Sequence, residues 1–267
     1  MPNFETPQPI TAVIEIAAGS IRLVASDRDD TVVEVRPRDE SRPHDVKAAQ
    51  QTRIDFSNGT LAVTSKRGFS LPRRGAVVVD IALPSGSRLE ASAASANIDA
   101  DGEFGDCKFA SASGDLKFGS VVGNLKADTA SGGITADVVK GAAVISTASG
   151  DATIGDVEGD MQFRAASGSL TVRHLHGNVN AQTASGDVTV ATAVNGGVSV
   201  QTGSGELVVG IAEGTAAQLD LRTGSGEVRN SLTPSDGPSS GDETLVVHAR
   251  TGSGDVIVQR ATAEAMS

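Results

Sequence analysis

The sequence has 267 residues and a formal net charge of −11, so it is acidic and long enough to bury a sizeable core. It contains 31 glycines but no Trp or Tyr, a composition that favours short strands and many turns. The acidic excess lies after residue 90, where 21 Asp and Glu residues face 10 Lys and Arg residues. Because nucleic-acid binding requires a basic surface, this charge argues against a nucleic-acid partner.

The start of the chain, MPNFETPQPI, has no basic segment followed by an apolar one, and no apolar run approaches the length of a membrane-spanning helix. We therefore expect a soluble, cytoplasmic protein with no transmembrane segment. The single cysteine, Cys107, excludes an internal disulfide and fits a reducing compartment.

The first 90 residues contain strand-like segments, of which the third includes Asn58-Gly59, a strong hairpin turn signal. The segments are AVIEIAAGSIRLVAS, DTVVEVRP, TRIDFSNGTLAVTS and AVVVDIALPSG. An insertion between the second and third predicts a short helix after Pro43. We predict that residues 1–90 form an N-terminal β-strand cap that shields the open end of the following repeats, since an unpaired edge invites aggregation.

A second insertion, KRGFSLPRRG, is the one dense basic cluster of the sequence. Such a loop can contact an anionic surface, either lipid headgroups or an acidic partner. A solubilising hairpin loop is the alternative interpretation. The predicted partner-contact residues are Lys66, Arg67, Phe69, Arg73 and Arg74.

After residue 90 one turn motif recurs, of which TASGDVTV at residues 183–190 is typical. The serines before the turn glycines are spaced by 18 residues five times and then by 19, 21 and 28. They are Ser95, Ser113, Ser131, Ser149, Ser167, Ser185, Ser204, Ser225 and Ser253, of which Ser95 precedes Ala96 instead of a glycine and marks an entry repeat. A fixed period of this kind indicates a solenoid, in which each unit buries its apolar face against its neighbours.

Within each repeat, apolar and polar residues alternate, and this period of two predicts strands. A second turn signal, at Gly123, Gly141 and Gly159 for example, divides each repeat into two strands of about five to seven residues. We predict an all-β, single-stranded parallel β-solenoid (β-helix) with about 18 residues per coil. It is expected to be right-handed, because crossover connections favour that hand. The solenoid is predicted over residues 91–260, with an inserted loop at about 231–244 and a C-terminal tail at 261–267.

A column of acidic residues follows the turn serines, at Asp115, Asp151, Asp187, Glu206, Glu227 and Asp255. Calcium prefers oxygen ligands of this kind, but the column is interrupted by Gly133 and Ser169 and lacks the calcium-binding nonapeptide pattern. We interpret the column as solvated turn residues, with a calcium site as the alternative.

Two further features offer candidate chemistry. His174 and His176 flank a turn and could share a metal ion, but no third ligand has a predictable position, so we predict exposed loop histidines. Cys107 occupies the same offset as Leu125 and Met161 and is predicted to be a small core residue. We predict no cofactor, no metal site and no catalytic residue.

Several segments carry a family resemblance, among them IAAGSIRLVASDRDDTVVEVRP, IALPSGSRLEASAAS, GIAEGTAAQLDLRTGSGEVRN and HARTGSGDVIVQRA. Together with the TASGD turns they resemble the bacterial β-strand-repeat family of "putative adhesins", in a soluble form associated with actinobacteria. They are also similar to the toast-rack domains of envelope-stress operons. The resemblance implies a solenoid and, from the family's name, adhesion; it implies no catalytic or binding residue.

The regular surface without a convergent catalytic set predicts a non-enzymatic scaffold or protein-interaction module. Its partner is expected to be an unknown protein, held by the solenoid wall or by the basic loop. A further possibility is a second copy that associates through the solenoid ends. The alternative is a polysaccharide-binding or polysaccharide-cleaving β-helix protein. Against it, the aromatic platforms that usually hold sugar rings are absent from the sequence.

Overall fold

Strands make up most of the chain. The computed structural model describes residues 2–65, 75–234, 237–238 and 242–261, and within these it contains 21 strands and one helix. Two units, residues 1–136 and residues 137–267, are called below the N-terminal and the C-terminal unit.

The N-terminal unit holds the helix, whose Pro43 start confirms the predicted position. Its elements are β1 (Asn3–Glu5), β2 (Thr11–Ser26), β3 (Asp30–Pro37), α1 (Pro43–Gln51), β4 (Arg53–Ser57), β5 (Thr60–Thr64), β6 (Val77–Pro84), β7 (Arg88–Phe104), β8 (Cys107–Ser113), β9 (Leu116–Val121) and β10 (Leu125–Ser131). Strand β11 (Ile134–Val139) runs across the boundary.

The C-terminal unit consists of strands. They are β12 (Ala143–Ser149), β13 (Ala152–Val157), β14 (Met161–Ser167), β15 (Leu170–Ser185), β16 (Val188–Ser204), β17 (Leu207–Ile211), β18 (Thr215–Ser225), β19 (Val228–Asn230), β20 (Glu243–Ser253) and β21 (Val256–Arg260). Within the described ranges, no helix has the length and apolar character needed to cross a membrane.

Parallel pairing brings equivalent repeat positions into register. In the C-terminal unit, Ser149 pairs with Ser167, Ser167 with Ser185 and Ser185 with Ser204. The inward side chains form a stacked core; Ile145, Phe163, Ala181 and Val200 follow one another in adjacent strands and are at most 2% exposed. The predicted all-β solenoid is thereby confirmed. Its right-handed sense stays a prediction.

The corner glycine explains why the turn motif repeats. Gly132 has a φ of 119°, and a Cβ there would collide with the carbonyl oxygen of Gly114, the corner glycine of the neighbouring coil. Glycine tolerates both conditions because it has no Cβ. Gly168, Gly186 and Gly205 meet the backbone carbonyl oxygen of the preceding corner glycine in the same way, whereas Gly114 meets that of Ala96.

The N-terminal unit does not stack in sequence order. Strand β2 pairs with β7 on one side and with β5 and β6 on the other, all parallel. The outermost coil is therefore formed by β5 and β6, and antiparallel strands extend it, β4 beside β5 and β3 beside β6. The β4–β5 turn has positive φ at Asn58 and Gly59, which confirms the predicted hairpin. Strand β7 runs across residue 90, and the predicted division there stays a prediction.

The C-terminal unit departs from sequence order in the same way. Strands β20 and β21 lie between β16–β17 and β18–β19, so that Ser253 pairs with both Ser204 and Ser225. We call β20–β21 the inserted coil and β18–β19 the terminal coil. The connection from Asn230 to Glu243, predicted as an inserted loop, returns the chain from the terminal coil to the inserted coil, which lies between it and β16–β17.

The second turn signal is weaker than predicted in part of the C-terminal unit. Strand β15 continues through Gly177, and its ladder with β16 has only a register shift between Leu175 and His176. Elsewhere, as in β12 and β13, each repeat divides into two short strands as predicted.

Candidate functional site

The predicted partner-contact loop lies outside the described residues. Lys66, Arg67, Phe69, Arg73 and Arg74 all fall within residues 66–74, so the loop stays a prediction. On its C-terminal flank, the buried Asp45 side chain of α1 accepts the backbone N–H of Ala76 at 2.8 Å.

The acidic column links neighbouring coils. Asp115 Oδ1 accepts the backbone N–H of Gly133 at 2.9 Å, and Asp187 Oδ1 accepts that of Glu206 at 2.8 Å. Asp255 Oδ1 likewise accepts the N–H of Glu227 at 2.9 Å. These carboxylates satisfy backbone donors at the corner, so their recurrence has a structural cause. Among the described residues, no group of three or more His, Cys, Asp or Glu side chains is placed to hold a metal ion.

The threonine of the turn motif forms hydrogen bonds with the backbone of the corner from the buried side. Thr183 is buried, and its Oγ1 lies 3.1 Å from the carbonyl oxygen of Ser185 and 3.3 Å from that of Gly168. Thr202 repeats both contacts one coil further on. Thr147 is the exception in the described chain, because its buried Oγ1 has no hydrogen-bond partner. The motif is therefore a hydrogen-bonded corner rather than a binding loop.

The histidine prediction is wrong in its placement. His174 and His176 lie inside β15, not in a loop. His174 is half-buried, and its Nδ1 lies 2.6 Å from Oδ1 of Asp156 on the adjacent strand β13. His176 is exposed. The Asp156 contact orients the His174 ring, and it links two coils in the same manner as the acidic column.

The prediction for Cys107 is confirmed, because its side chain is 2% exposed. Burial, with a contribution from the charge of Asp106, raises the pKa of the thiol to about 12. The thiol is therefore neutral at physiological pH, which does not suit a nucleophile.

A concave surface of about 480 Å³ in the C-terminal unit runs across the first strands of successive coils. Its centre is one column of outward residues in paired register: Val144, Gln162, Asn180, Ser199 and His248. Asp160, Asn178 and Val246 form one rim. We call this surface the amide groove, because Gln162, Asn178 and Asn180 dominate its polar lining.

The rim of the amide groove combines a hydrogen-bonded amide with an exposed apolar side chain. Asn178 donates from its side-chain nitrogen to Asp160 Oδ1 at 2.8 Å, which fixes the amide. Val246 of the inserted coil is 37% exposed and provides an apolar contact. The groove thus offers oriented hydrogen-bonding groups beside apolar surface, the combination that recognition sites use.

A charged cluster adjoins the groove at His248. Asp220 of the terminal coil accepts a hydrogen bond from Arg250 Nη2 at 3.1 Å and one from Arg222 Nε at 3.0 Å. The His248 Nδ1 atom lies 3.6 Å from the same carboxylate. The hydrogen bond from Arg250 and, to a lesser extent, the interactions with Arg222 lower the pKa of Asp220.

The amide groove was missed from the sequence. Outward positions carry no constraint from the core, so Gln162, Asn180 and His248 resemble ordinary solvated residues. An alignment of the outward-facing positions of successive repeats could have revealed the recurring amides at Gln162 and Asn180. It could not have placed His248 beside Ser199, because that contact depends on the inserted coil.

The comparisons with known proteins concern the family and the fold. A structure of a "putative adhesin" from Bacteroides fragilis is 11% identical, with coverage of 97% of this chain and 95% of that chain and a TM-score of 0.48. A "putative lipid binding protein" from Parabacteroides distasonis is 13% identical, with 95% coverage of each chain and a TM-score of 0.49. None of the curated proteins matches this sequence.

The family model described as Toastrack DUF4097 matches residues 12–259, and so confirms the toast-rack resemblance of the repeat segments. The actinobacterial association stays a prediction. Because the match spans nearly the whole sequence, the chain belongs to the Toastrack DUF4097 family.

Proposed function

We propose that this protein is a non-enzymatic binding module that holds a protein partner against the amide groove. The observation that supports this most directly is the column from Gln162 to His248, in which hydrogen-bonding side chains from successive coils face one concave surface. Since paired strands position each residue, the surface is organised before the partner arrives, which lowers the entropic cost of binding.

A protein partner suits the lining better than a glycan does. The groove mixes exposed apolar side chains, such as Val246, with amides and an imidazole, as protein interfaces do. Sugar rings usually stack on aromatic platforms, and the sequence has no Trp or Tyr. The recurring amides still favour polysaccharide binding as the second candidate, because amides hydrogen-bond sugar hydroxyls in both directions.

Lack of enzymatic activity is part of the proposal. The neutral, buried Cys107 thiol supports it, as does the structural use of the acidic column. A cytoplasmic location is proposed as well, and the buried free thiol of Cys107 fits a reducing compartment. Fractionation of the source cells followed by immunodetection tests that location; recovery from the cell surface would contradict it.

The binding proposal is tested by crosslinked capture from an extract of the native cells, with mass spectrometry of the captured proteins. The groove variant Asn180→Lys places a charge in the amide groove and should lower recovery of a true partner at least about tenfold, since an unmatched interfacial charge is costly. The matched control is Thr189→Lys, which places the same charge at an outward position of the neighbouring strand β16, outside the groove lining.

A partner lost with Asn180→Lys and retained with Thr189→Lys would support the amide groove. Equal recovery with both variants would contradict it. A second arm replaces Lys66, Arg67, Arg73 and Arg74 by Ser, which should weaken only an acidic partner that uses the basic loop. Binding to a glycan array that Asn180→Lys abolishes would favour the polysaccharide candidate instead.

A further inference from the structure

The terminal coil has an open outer edge. Strand β18 pairs with β20 and β19 pairs with β21, and neither has a second partner among the described strands. The inward side chains of the terminal coil are also more exposed to solvent than those of the neighbouring inserted coil. Val228 is 42% exposed, whereas Val256, its partner in the inserted coil, is fully buried. Leu219 and Leu221 are half-buried as well.

The N-terminal unit shows how this fold can extend such a coil. There the outermost strands β5 and β6 each have an antiparallel neighbour, β4 and β3 respectively. An antiparallel strand is therefore compatible with the outer edge of a coil in this protein. The terminal coil lacks an equivalent within the described residues, although an edge strand leaves backbone N–H and C=O groups available for one.

The charges along the open edge have a particular order. On β18 an acidic, an apolar and a basic residue follow one another as Asp220, Leu221 and Arg222. At the start of β19 the same order occurs: Glu227 immediately precedes the strand, and Val228 and Arg229 are its first two residues. When such a segment pairs antiparallel with its own copy about the central residue, each acidic residue lies opposite a basic one. Both segments are thus complementary to themselves.

A single symmetry axis can serve both segments. Leu221 and Val228 lie at equal sequence distances on either side of the turn that joins the two strands, whose middle is Gly224-Ser225. A two-fold axis that passes between Leu221 and its copy, and between Val228 and its copy, places each strand antiparallel to its copy. Interfaces with this symmetry use the same surface on both subunits, and therefore require a self-complementary surface.

We propose that two copies of this chain pair antiparallel through their terminal coils, with a two-fold axis that brings Leu221 opposite the partner's Leu221 and Val228 opposite the partner's Val228. The pairing places Asp220 opposite the partner's Arg222 and Glu227 opposite the partner's Arg229. It also covers Leu219, Leu221 and Val228. The interface adjoins the amide groove at Asp220 and His248 but shares no lining residue with it, and it does not depend on the function proposed for the groove.

Existing ion pairs within one chain do not oppose this pairing. Arg229 Nη2 lies 2.7 Å from Glu227 Oε2, and Arg222 Nε lies 3.0 Å from Asp220 Oδ1. The side chains of Arg222 and Arg229 are 68% and 54% exposed, so these pairs are weak. An exchange of partners across the axis keeps every charge matched, while it adds backbone hydrogen bonds and apolar burial.

The test is sedimentation velocity of the full chain over a wide range of concentrations, with variants of β19. R229E and E227R each place like charges opposite one another across the axis, and each should weaken the wild-type dimer at least about tenfold. An equimolar mixture of the two variants should form a heterodimer, because the acidic edge of one then faces the basic edge of the other. Circular dichroism and thermal unfolding verify that both variants are folded.

Dimeric wild-type protein, monomeric single variants and a dimer restored by mixing would together support the pairing. A wild-type protein that is monomeric at every concentration would overturn it. So would a dimer that survives in both variants, or folded variants that fail to associate when mixed. Because none of these variants alters the groove lining, partner capture can fail while dimerisation holds, and the reverse.

Discussion

Adjacent glycines in one corner make a sharp test of why the turn motif repeats. Gly132 has a φ of 119°, and a Cβ there would collide with the carbonyl oxygen of Gly114. The neighbouring Gly133 has no positive φ, and a Cβ there would approach nothing closer than Asp115 Oδ1 at 3.6 Å. Gly132→Ala should therefore destabilise the protein, whereas Gly133→Ala should not.

The magnitude follows from two costs at Gly132. A residue other than glycine held in this backbone region costs about 1–3 kcal/mol. Overpacking against backbone that must shift costs about 1–3 kcal/mol more. The loss of chain entropy in the unfolded state returns about 0.4–1 kcal/mol, which leaves a net loss of about 3 kcal/mol. At Gly133 only the entropy gain applies, so that variant should be unchanged or slightly more stable.

Differential scanning calorimetry or thermal unfolding followed by circular dichroism measures the difference. A loss of about 3 kcal/mol corresponds to a fall in Tm of roughly 10 °C for a protein of this size. Gly133→Ala, which differs by one position, controls for the substitution itself. If both variants melt within about 2 °C of the wild type, the stacked-corner explanation is refuted.

Three further predictions concern single side chains. Thr183→Val should lower the free energy of unfolding, measured in urea, by about 1 kcal/mol because it removes corner hydrogen bonds. Thr147→Val should leave it unchanged, because the Thr147 hydroxyl has no partner, and equal losses in the two variants would contradict the corner role. Cys107 should resist a thiol-specific disulfide reagent at pH 8 in the native state and react fully in urea, since burial raises its pKa to about 12; rapid native labelling would oppose this. Arg250→Ala should raise the pKa of Asp220 in an NMR titration, because the Arg250 hydrogen bond is the main cause of its lowered value.

The repeated part of the fold could be predicted because its signals are local. Alternation of side chains specifies a strand, and a corner serine specifies where the strand turns, so Ser167 and Ser185 had to meet once the coils stacked. The order of the coils could not be predicted. Strands β18 and β20 carry the same alternation and the same turn, and either can lie against β16. The connection over residues 231–242 can span about 40 Å, far more than the distance from the terminal coil to the neighbouring inserted coil.

The candidate site depends on this order, which is why the sequence did not reveal it. His248 reaches the amide groove only because β20 lies directly beside β16. Gln162 and Asn180 point away from the core, where many residues are compatible with the fold, so their type alone does not distinguish binding from solvation. The basic loop, which the sequence did highlight, is the one predicted contact without a described position.

The order of the coils also determines how each unit can unravel. A stack built in sequence order ends in coils that are themselves chain ends, and these fray one hydrogen bond at a time. Here the outermost coils, β5–β6 and β18–β19, are internal segments joined to the chain on both sides. The long strand β2 and the last strand β21 are instead held between two neighbours. Separating β2 or β21 from the sheet must therefore break two ladders at once, so each unit should resist local unfolding at these strands.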